Sequence, residues 1–474
     1  MTEPAYRRRM LILAICCMSL LLVSLDNTIL NVALPSMQKD FGASVSGLQW
    51  TIDAYLVVLA SLLMLSGATA DRRGRKRVFR IGLVVFTAGS VLCSLAPGLG
   101  WLVAFRMVQA VGGSMLNPVA MSIITNTFAD PRERARAIGV WGGVVGISMA
   151  AGPIVGGALV ETVGWRSIFW INLPVGLLAL VLTQRFVPES RAPRPRRVDP
   201  VGQALVIVLL GSLTYGIIEG ADAGWGSPLI VGCFLAAAVA VAGIAGYERR
   251  RADPLIDVRF FRSAPFSGAT VIAVCAFAAL GGFMFLNTLY LQNDLHLSAL
   301  DAGLWMLPMA LMCLVFAPVS GRLVASRGPR LPLVLAGAGM TASAVLFAGF
   351  DALATDRLRL VAYVLFGIGF GLVNAPITNT AVSGMPRAQA GVAAAVASTS
   401  RQVGQSLGVA VLGAALAAGL HTGAWVIVTG CGLAVLGLGV LTTGPWARAT
   451  VARCMASLPA MEVPEDDRVA VRAS

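Results

Sequence analysis

The chain has 474 residues, of which 57% are apolar and 12% are charged, and its mean hydropathy is +0.80. Soluble domains contain about a quarter charged residues, so this composition excludes a soluble enzyme and a disordered chain. The formal net charge is +13, from 36 Lys and Arg against 23 Asp and Glu. The distribution of these basic residues, described below, indicates a membrane topology and argues against a nucleic-acid partner.

Apolar stretches long enough to cross a bilayer, about 20 residues each, follow one another along the chain. They are numbered here as spans 1 to 14 and fall at 10–34, 48–70, 78–96, 101–125, 137–160, 167–186, 200–218, 227–246, 266–290, 302–325, 331–350, 358–382, 391–420 and 423–444. Lipid offers backbone groups no hydrogen-bond partner, and these stretches lack strand alternation. We therefore expect an all-α polytopic membrane protein with 14 transmembrane helices.

The basic residues predict the orientation of these spans. With the N-terminus in the cytoplasm, almost all Lys and Arg fall in inner segments, as the positive-inside rule requires. Two more, Arg106 and Arg401, lie inside spans. The outer loops hold only Lys39, Arg166, Arg357 and Arg359. Both termini are therefore predicted to be cytoplasmic. The eight cysteines lack metal-ligand spacing, so we expect neither a disulfide nor a metal.

The loop after span 2 carries the most specific motif. Residues 67–77 read GATADRRGRKR, which places Gly67, Asp71, Gly74 and Arg75 at fixed spacings. Positive charge alone would make this an ordinary inner loop, but it would not explain the glycines and the aspartate. The pattern resembles the G-x-x-x-D-x-x-G-[RK]-[RK] signature of the major facilitator superfamily. The resemblance implies a cytoplasmic latch between two halves, with Asp71 and Arg75 as latch residues.

Three other segments resemble signatures of the fourteen-span drug:proton antiporter family within that superfamily. They are LDNTILNVALP at 25–35, Gly152-Pro153-Ile-Val-Gly156-Gly157 in span 5, and RQVGQSLG at 401–408. Small residues four apart permit close helix packing, and Pro153 permits a kink. This segment of span 5 therefore fits simple tight packing as well as the moving interface that the resemblance implies. One departure is Ser148, where the family motif usually has glycine.

The resemblance covers nearly the whole chain and implies two six-helix halves plus two inserted central helices. The expected organisation is a cytoplasmic N-terminus at 1–9, a first six-helix half at 10–186, and a linker with two inserted helices at 187–265. A second six-helix half follows at 266–444, and a disordered cytoplasmic tail at 445–474. A bacterial plasma membrane is the expected location.

Three charged residues lie inside first-half spans at a similar depth. Asp26, Asp53 and Arg106 fall roughly 7–11 Å below the outer edge, at 1.5 Å per residue. Because unpaired charge is costly in lipid, such residues either form a structural bridge or line a wet cavity. Burial disfavours an ionised carboxylate and a nearby arginine favours it, so a cavity that opens and closes can load and release a proton. We predict Asp26 as the proton-coupling carboxylate, Arg106 as its modulator, and Asp53 as the second candidate.

A substrate cavity is predicted near mid-membrane between the halves. Its candidate residues are Asn27, Asn31, Gln109, Asn287, Trp305, Met309, Asn374 and Arg401. Methionine suits promiscuous apolar surfaces, and a cation can stack on Trp305, although both side chains would equally suit contacts with lipid or neighbouring helices. Spans 9–14 contain no acidic residue away from their ends, so Arg401 needs a carbonyl, a first-half acid or a substrate group as its partner.

The predicted function is a proton-coupled secondary antiporter that exports lipophilic drugs, antibiotics or toxic metabolites by alternating access. Its partners would be a small lipophilic substrate, protons and the bilayer, with no obligate protein partner. The proton gradient would supply the energy, and no cofactor is expected. The alternative is a facilitator or exporter of a specific anionic metabolite, which Arg401 favours. An enzyme is not expected, because no Ser/His/Asp set or metal cluster is present.

Overall fold

The computed structural model describes residues 3–128, 130–192, 199–251, 258–349, 355–383, 385 and 390–456. Fourteen long helices in these ranges coincide with the predicted spans and are numbered accordingly. They are α1 (Glu3–Phe41), α2 (Val45–Arg73), α3 (Arg75–Ser94), α4 (Leu99–Thr127), α5 (Pro131–Thr162), α6 (Ser167–Trp170 continued by Asn172–Phe186), α7 (Pro200–Ala223), α8 (Pro228–Glu248), α9 (Ala264–Leu289), α10 (Ala299–Arg327), α11 (Arg330–Ala348), α12 (Asp356–Ser383), α13 (Ala390–Ala417) and α14 (His421–Leu441). A shorter helix, α15 (Pro445–Ala456), follows them.

Thirteen of the described helices are long and apolar enough to cross a membrane. The fourteenth, α13, has 28 residues and is more polar, because Arg401, Gln402 and Gln405 occupy its middle. It packs closely on α9 and on α2, so its polar residues lie inside the bundle rather than against lipid. The predicted all-α membrane fold is confirmed.

Two apolar cores organise the bundle. The first gathers buried side chains of α1 to α6, such as Phe79 and Phe86, and the second gathers those of α9 to α14, such as Phe283 and Phe366. Glycines let the helices within each core approach closely. A Cβ at Gly408 of α13, for example, would overlap the backbone of Ala278 in α9.

The inserted helices lie beside the first half and reach toward the second. α7 packs on α2 and on α13, and α8 packs on α7. Two hydrogen bonds join α7 to α2: Trp50 Nε1 donates to Glu219 Oε1 at 2.7 Å, and Gln203 Nε2 donates to the Ser61 carbonyl at 2.5 Å. These two bonds fasten α7 to the first half near both of its ends.

The prediction of a disordered tail is wrong for residues 445–456, which form α15. The helix is held by two contacts that sequence composition does not reveal. Thr450 Oγ1 accepts a hydrogen bond from the Ala264 backbone N–H at 2.9 Å, and the Cys454 thiol donates to the Arg259 carbonyl at 3.4 Å. Residues 457–474 lie outside the described part of the chain.

The two halves meet on the side of the α1–α2 connection, called the outer side here. Gln49 Nε2 of α2 donates to the carbonyls of Val409 and Ala410 in α13, at 3.0 and 2.8 Å. Gln292 Nε2, in a π-helical turn after α9, donates to the Val32 carbonyl of α1 at 2.9 Å. These bonds bridge the two halves, so the outer side is closed.

The opposite, inner side is more open. α5 and α10 touch near Gly146, where an added Cβ would lie 2.9 Å from Leu314. Nearer the inner side, a Cβ added at Gly139, Gly142 or Gly143 would meet no atom within 4 Å. The two helices therefore diverge toward the inner side.

Candidate functional site

A buried ion pair lies inside the first half. Arg106 Nη1 of α4 donates to Asp26 Oδ2 of α1 at 2.5 Å. Both side chains are almost fully shielded from solvent, with 1% and 2% of their surfaces exposed. Residue counting along the spans predicts that Asp26 and Arg106 lie at a similar depth, and the structure shows them in direct contact.

Neutral side chains complete the surroundings of Asp26. Gln109 Nε2 and Asn172 Nδ2 both donate to Asp26 Oδ1, at 2.8 and 3.0 Å. Asn172 also donates to Ser90 Oγ at 2.9 Å, and Gln109 Oε1 accepts from Arg106 Nη1 at 2.7 Å. The buried Asp26 carboxylate thus accepts hydrogen bonds from three side chains, one of them charged.

The guanidinium of Arg106 is also linked to α2. Its Nε donates to the Thr51 carbonyl at 3.2 Å, and its central carbon lies 4.2 Å from the centre of the Tyr55 ring. Both partners are on the helix that carries Asp53. The pair formed by Asp26 and Arg106 therefore joins α1 and α4 to α2.

Asp53 has a different environment, although it lies on the same helix as Thr51 and Tyr55. Its side chain is fully buried at the contact between α2 and α13. Ser406 of α13 is the polar side chain beside it. Among the described residues, neither carboxylate oxygen of Asp53 has a hydrogen-bond partner within normal geometry. Asp53 thus lies unpaired between the halves, whereas Asp26 is paired inside one half.

The second half has a neutral pair at the corresponding level. Tyr363 is the eighth residue of α12, as Arg106 is of α4. Its hydroxyl donates to Asn287 Oδ1 of α9 at 2.7 Å, and Asn287 Nδ2 donates to the Phe283 carbonyl at 2.9 Å. Asn287 is fully buried by these contacts, so it lies inside the second half rather than on a surface between the halves.

The other cavity candidates fall into two groups. Gln109, Asn31 and Met309 are buried within their own halves. Asn27, Asn374 and Arg401 are only half-buried. Trp305 is partly buried, and the guanidinium of Arg359 already lies 5.2 Å from its ring. The position where a substrate cation was predicted to stack is therefore occupied by an arginine of the chain itself.

Arg401 lies in the middle of α13. Its Nη2 donates to Thr378 Oγ1 of α12 at 2.5 Å, and its guanidinium lies 5.9 Å from the Phe277 ring of α9. Its Nε is buried and has no partner in the described part of the chain. The described residues supply no carboxylate within ion-pair distance of Arg401.

The glycines of the motif in α5 face two different neighbours. A Cβ at Gly152 or Gly156 would overlap Thr28 or contact Ile29, both in α1. A Cβ at Gly157 would lie 2.6 Å from the Leu300 Cα of α10. Pro153 faces α10 as well, because its carbonyl lies against Gly303. The segment therefore serves both close packing within the first half and the contact between the halves.

The loop after α2 is held by the segment that follows α6. Arg75 Nη2 donates to Asp71 Oδ1 at 2.9 Å, and Gly74 adopts a left-handed φ of 111° at the turn. Glu189 accepts hydrogen bonds from the backbone N–H groups of Lys76 and Arg77 at 3.0 and 3.2 Å. Gly67 makes only ordinary contact with Pro118 of α4. These bonds lie within the first half or join it to the linker that follows α6, on the side where the halves diverge.

Sequence reasoning missed Glu189, Asn172, Ser90 and Ser406. Asn172 and Ser90 had a detectable signal, because each is a polar residue within an apolar span. Glu189 falls in the predicted linker that begins at residue 187, and its role depends on this linker folding back over the start of α3. Ser406 had no signal, because its importance depends on the helix that faces it.

A helical membrane bundle with two halves that meet on one side and diverge on the other is the architecture of a secondary transporter. Comparison with known proteins agrees. The family model described as Major Facilitator Superfamily matches residues 16–409, and the chain therefore belongs to that superfamily.

Relatives and a solved structure extend the comparison. "Multidrug resistance protein Stp" of Mycobacterium tuberculosis is 37% identical over 414 residues, which cover 87% of this chain and 77% of that protein. The "Tetracenomycin C resistance and export protein" of Streptomyces glaucescens is 39% identical over 402 residues, covering 84% and 74%. The crystal structure of the peptide transporter POT has a TM-score of 0.66 at 16% identity, covering 93% of this chain and 95% of that one. That likeness concerns the fold alone.

Proposed function

We propose that the protein is a proton-coupled antiporter that exports lipophilic drugs or antibiotics by alternating access, with both termini in the cytoplasm of a bacterial cell. The proton gradient would be its energy source, without a cofactor or an obligate protein partner. Relatives named for multidrug resistance and for resistance and export support the substrate class. The inward-facing arrangement supports alternating access, because substrate from the cytoplasm would enter on the inner side.

The observation that carries proton coupling is the contrast between the two buried carboxylates. Asp26 has an arginine and two amide donors, whereas Asp53 has no hydrogen-bond partner among the described residues. Burying an ionised carboxylate without a partner is very costly, so Asp53 is neutral while α2 and α13 are in contact. The outer contact can then close only when Asp53 holds a proton.

A transport cycle follows if the outer contact closes only when Asp53 is protonated. With the outer side open, Asp53 meets external water and takes up a proton while the substrate leaves. The neutral acid then permits α2 to return to α13, which closes the outer side. Release of the proton to the inner side leaves a charge in that contact and favours the next opening. Asp26 and Arg106 would act by fixing the position of α2 through Thr51 and Tyr55.

The test uses inside-out vesicles with an acidic interior and a fluorescent lipophilic substrate. Substrate addition should release protons from wild-type vesicles. Asp53→Asn should keep substrate exchange across the membrane but lose proton release, because the amide imitates the neutral acid permanently. Asp222→Asn is the matched control, since this acid lies exposed at the outer end of α7. Unchanged proton coupling in Asp53→Asn would refute the assignment, and transport independent of any pH gradient would favour a facilitator.

A further inference from the structure

Among the residues that the structure describes, none supplies a counter-ion to Arg401. Its described polar contact is the hydroxyl of Thr378, and its Nε has no partner in the described ranges. A charged side chain at this depth normally pairs with another charge or faces a wet cavity. A hydroxyl satisfies one of its five N–H donors and balances none of its charge.

The buried acidic residues within the described helices, and the partly buried Glu219, lie elsewhere in the bundle. Asp26 is paired with Arg106 in the first half, and Glu219 accepts from Trp50 beside the bundle. Asp53 lies in the outer contact. The second half has the neutral pair of Asn287 and Tyr363 where the first half has its ion pair.

The side chain of Arg401 is also only partly shielded. It is half-buried, as are Thr378 and Asn374 of α12. Its position is about 16 Å from the inner end of α13, at 1.5 Å per residue. Thr378 lies nearer the inner end of α12, so the guanidinium extends toward the side on which the halves diverge.

We propose that Arg401 binds an acidic group of the exported compound, a carboxylate or an ionised phenol attached to an apolar ring system. The inference rests on the proposed function, and it names the substrate class. The planar guanidinium suits a carboxylate, because two parallel N–H groups can bind both oxygens. The Phe277 ring, 5.9 Å from the guanidinium, supplies an apolar surface next to the charge. A cationic drug would meet the positive charge of Arg401 without a neighbouring acid to offset it.

The test measures equilibrium binding to the purified full-length protein without any gradient. Three probes share one apolar ring: 4-(1-pyrenyl)butyrate, 4-(1-pyrenyl)butanol and 4-(1-pyrenyl)butyl-trimethylammonium. Binding is followed by energy transfer from tryptophan to pyrene. We expect the carboxylate to bind about tenfold or more tightly than the cation, the range given by one hydrogen bond between charged groups.

Two variants remove the charge in different ways. Arg401→Gln deletes it, and Thr378→Asp neutralises it with a carboxylate at the position that the hydroxyl occupies. Both should weaken binding of the butyrate roughly tenfold or more and change binding of the butanol by less than about threefold. Thr378→Asn has the shape of the aspartate without its charge and should keep the preference. Arg322→Gln, which removes an exposed arginine of the same half, should keep it too.

Three results would overturn the inference. The first is no saturable binding of pyrenylbutyrate, or no preference for it over the cation, in the wild-type protein. The second is an Arg401→Gln variant that loses affinity for all three probes equally, which would indicate a structural role. The third is a carboxylate preference that survives in Thr378→Asp. Because binding needs no proton gradient, a failure of antiport would leave a confirmed charge preference intact, and the two proposals can fail separately.

Discussion

Adding a single methyl group at Gly157 should hold the two halves apart on the outer side. A Cβ built at this position lies 2.6 Å from the carbonyl oxygen of Ala299 and 2.6 Å from the Cα of Leu300. Ordinary contacts of a Cβ begin at 3.4 Å, and both opposing atoms belong to the backbone of α10. The two helices must therefore separate by about 0.8 Å, the difference between 3.4 and 2.6 Å, for Gly157→Ala to fit.

Overpacking of this kind costs about 1–3 kcal/mol. The cost applies only while α5 and α10 are in contact, so it changes the balance between outer-closed and outer-open molecules roughly 5- to 150-fold. Spin labels at Lys39→Cys and Leu420→Cys, both exposed and on the outer side of different halves, would report the separation in a background without native cysteines. The ratio of long-distance to short-distance populations measured by electron–electron resonance should rise by that factor, and export should slow.

Gly142→Ala is the matched control, because it adds the same methyl group to the same helix where no atom lies within 4 Å. Gly142→Ala also includes the general increase in helix stability of about 0.5–1 kcal/mol that follows when alanine replaces glycine, so this effect is the same in both variants. Identical distance distributions in the two variants would show that the contact between α5 and α10 does not limit opening on the outer side.

Three further substitutions test other contacts through the midpoint of thermal unfolding. Asp26→Asn leaves the buried guanidinium of Arg106 without its counter-charge and should lower the free energy of unfolding by about 3–5 kcal/mol. Adding Arg106→Gln should restore part of that stability. No recovery in the double variant would show that the two residues act independently. Glu189→Ala removes the acceptor for two N–H groups at the start of α3 and should lower the free energy of unfolding by about 0.5–2 kcal/mol. An unchanged midpoint would show that the linker does not hold this position in solution. Trp50→Phe removes the hydrogen bond to Glu219 and should lower the free energy of unfolding by about 1 kcal/mol. An unchanged midpoint would show that lipid or water replaces the lost partner.

Much of the fold follows from the sequence because lipid imposes simple rules. Span length and the need to satisfy backbone groups predict fourteen helices, and the structure has a helix at each predicted span. Depth along a helix also follows from residue counting, which is why Asp26 and Arg106 were expected in one layer and are found in contact.

The direction in which a side chain points around its helix was not predictable in the same way. Asp53 has nearly the depth of Asp26, yet it faces α13 rather than Arg106, because the packing of α2 between two neighbours determines its rotation. Asn287 and Met309 were expected in a cavity and lie within the second half for the same reason. Trp305 was a reasonable site for a cation, but Arg359, 54 positions later in the chain, lies over its ring.

The distribution of charge between the halves links proton coupling to substrate recognition. The first half contains the two buried carboxylates of Asp26 and Asp53, and Asp53 lies at the contact between the halves that would have to separate. The second half has neutral partners at the equivalent level, and its Arg401 has no counter-ion among the described residues. An acidic compound bound at Arg401 would neutralise that cation in the inward-facing state. Release of this compound to the outer side would restore the positive charge of Arg401, while Asp53 gains a proton. The charge change in the second half would therefore accompany a charge change in the first half. On this view, the scarcity of acids in α9 to α14 keeps Arg401 available for the exported molecule.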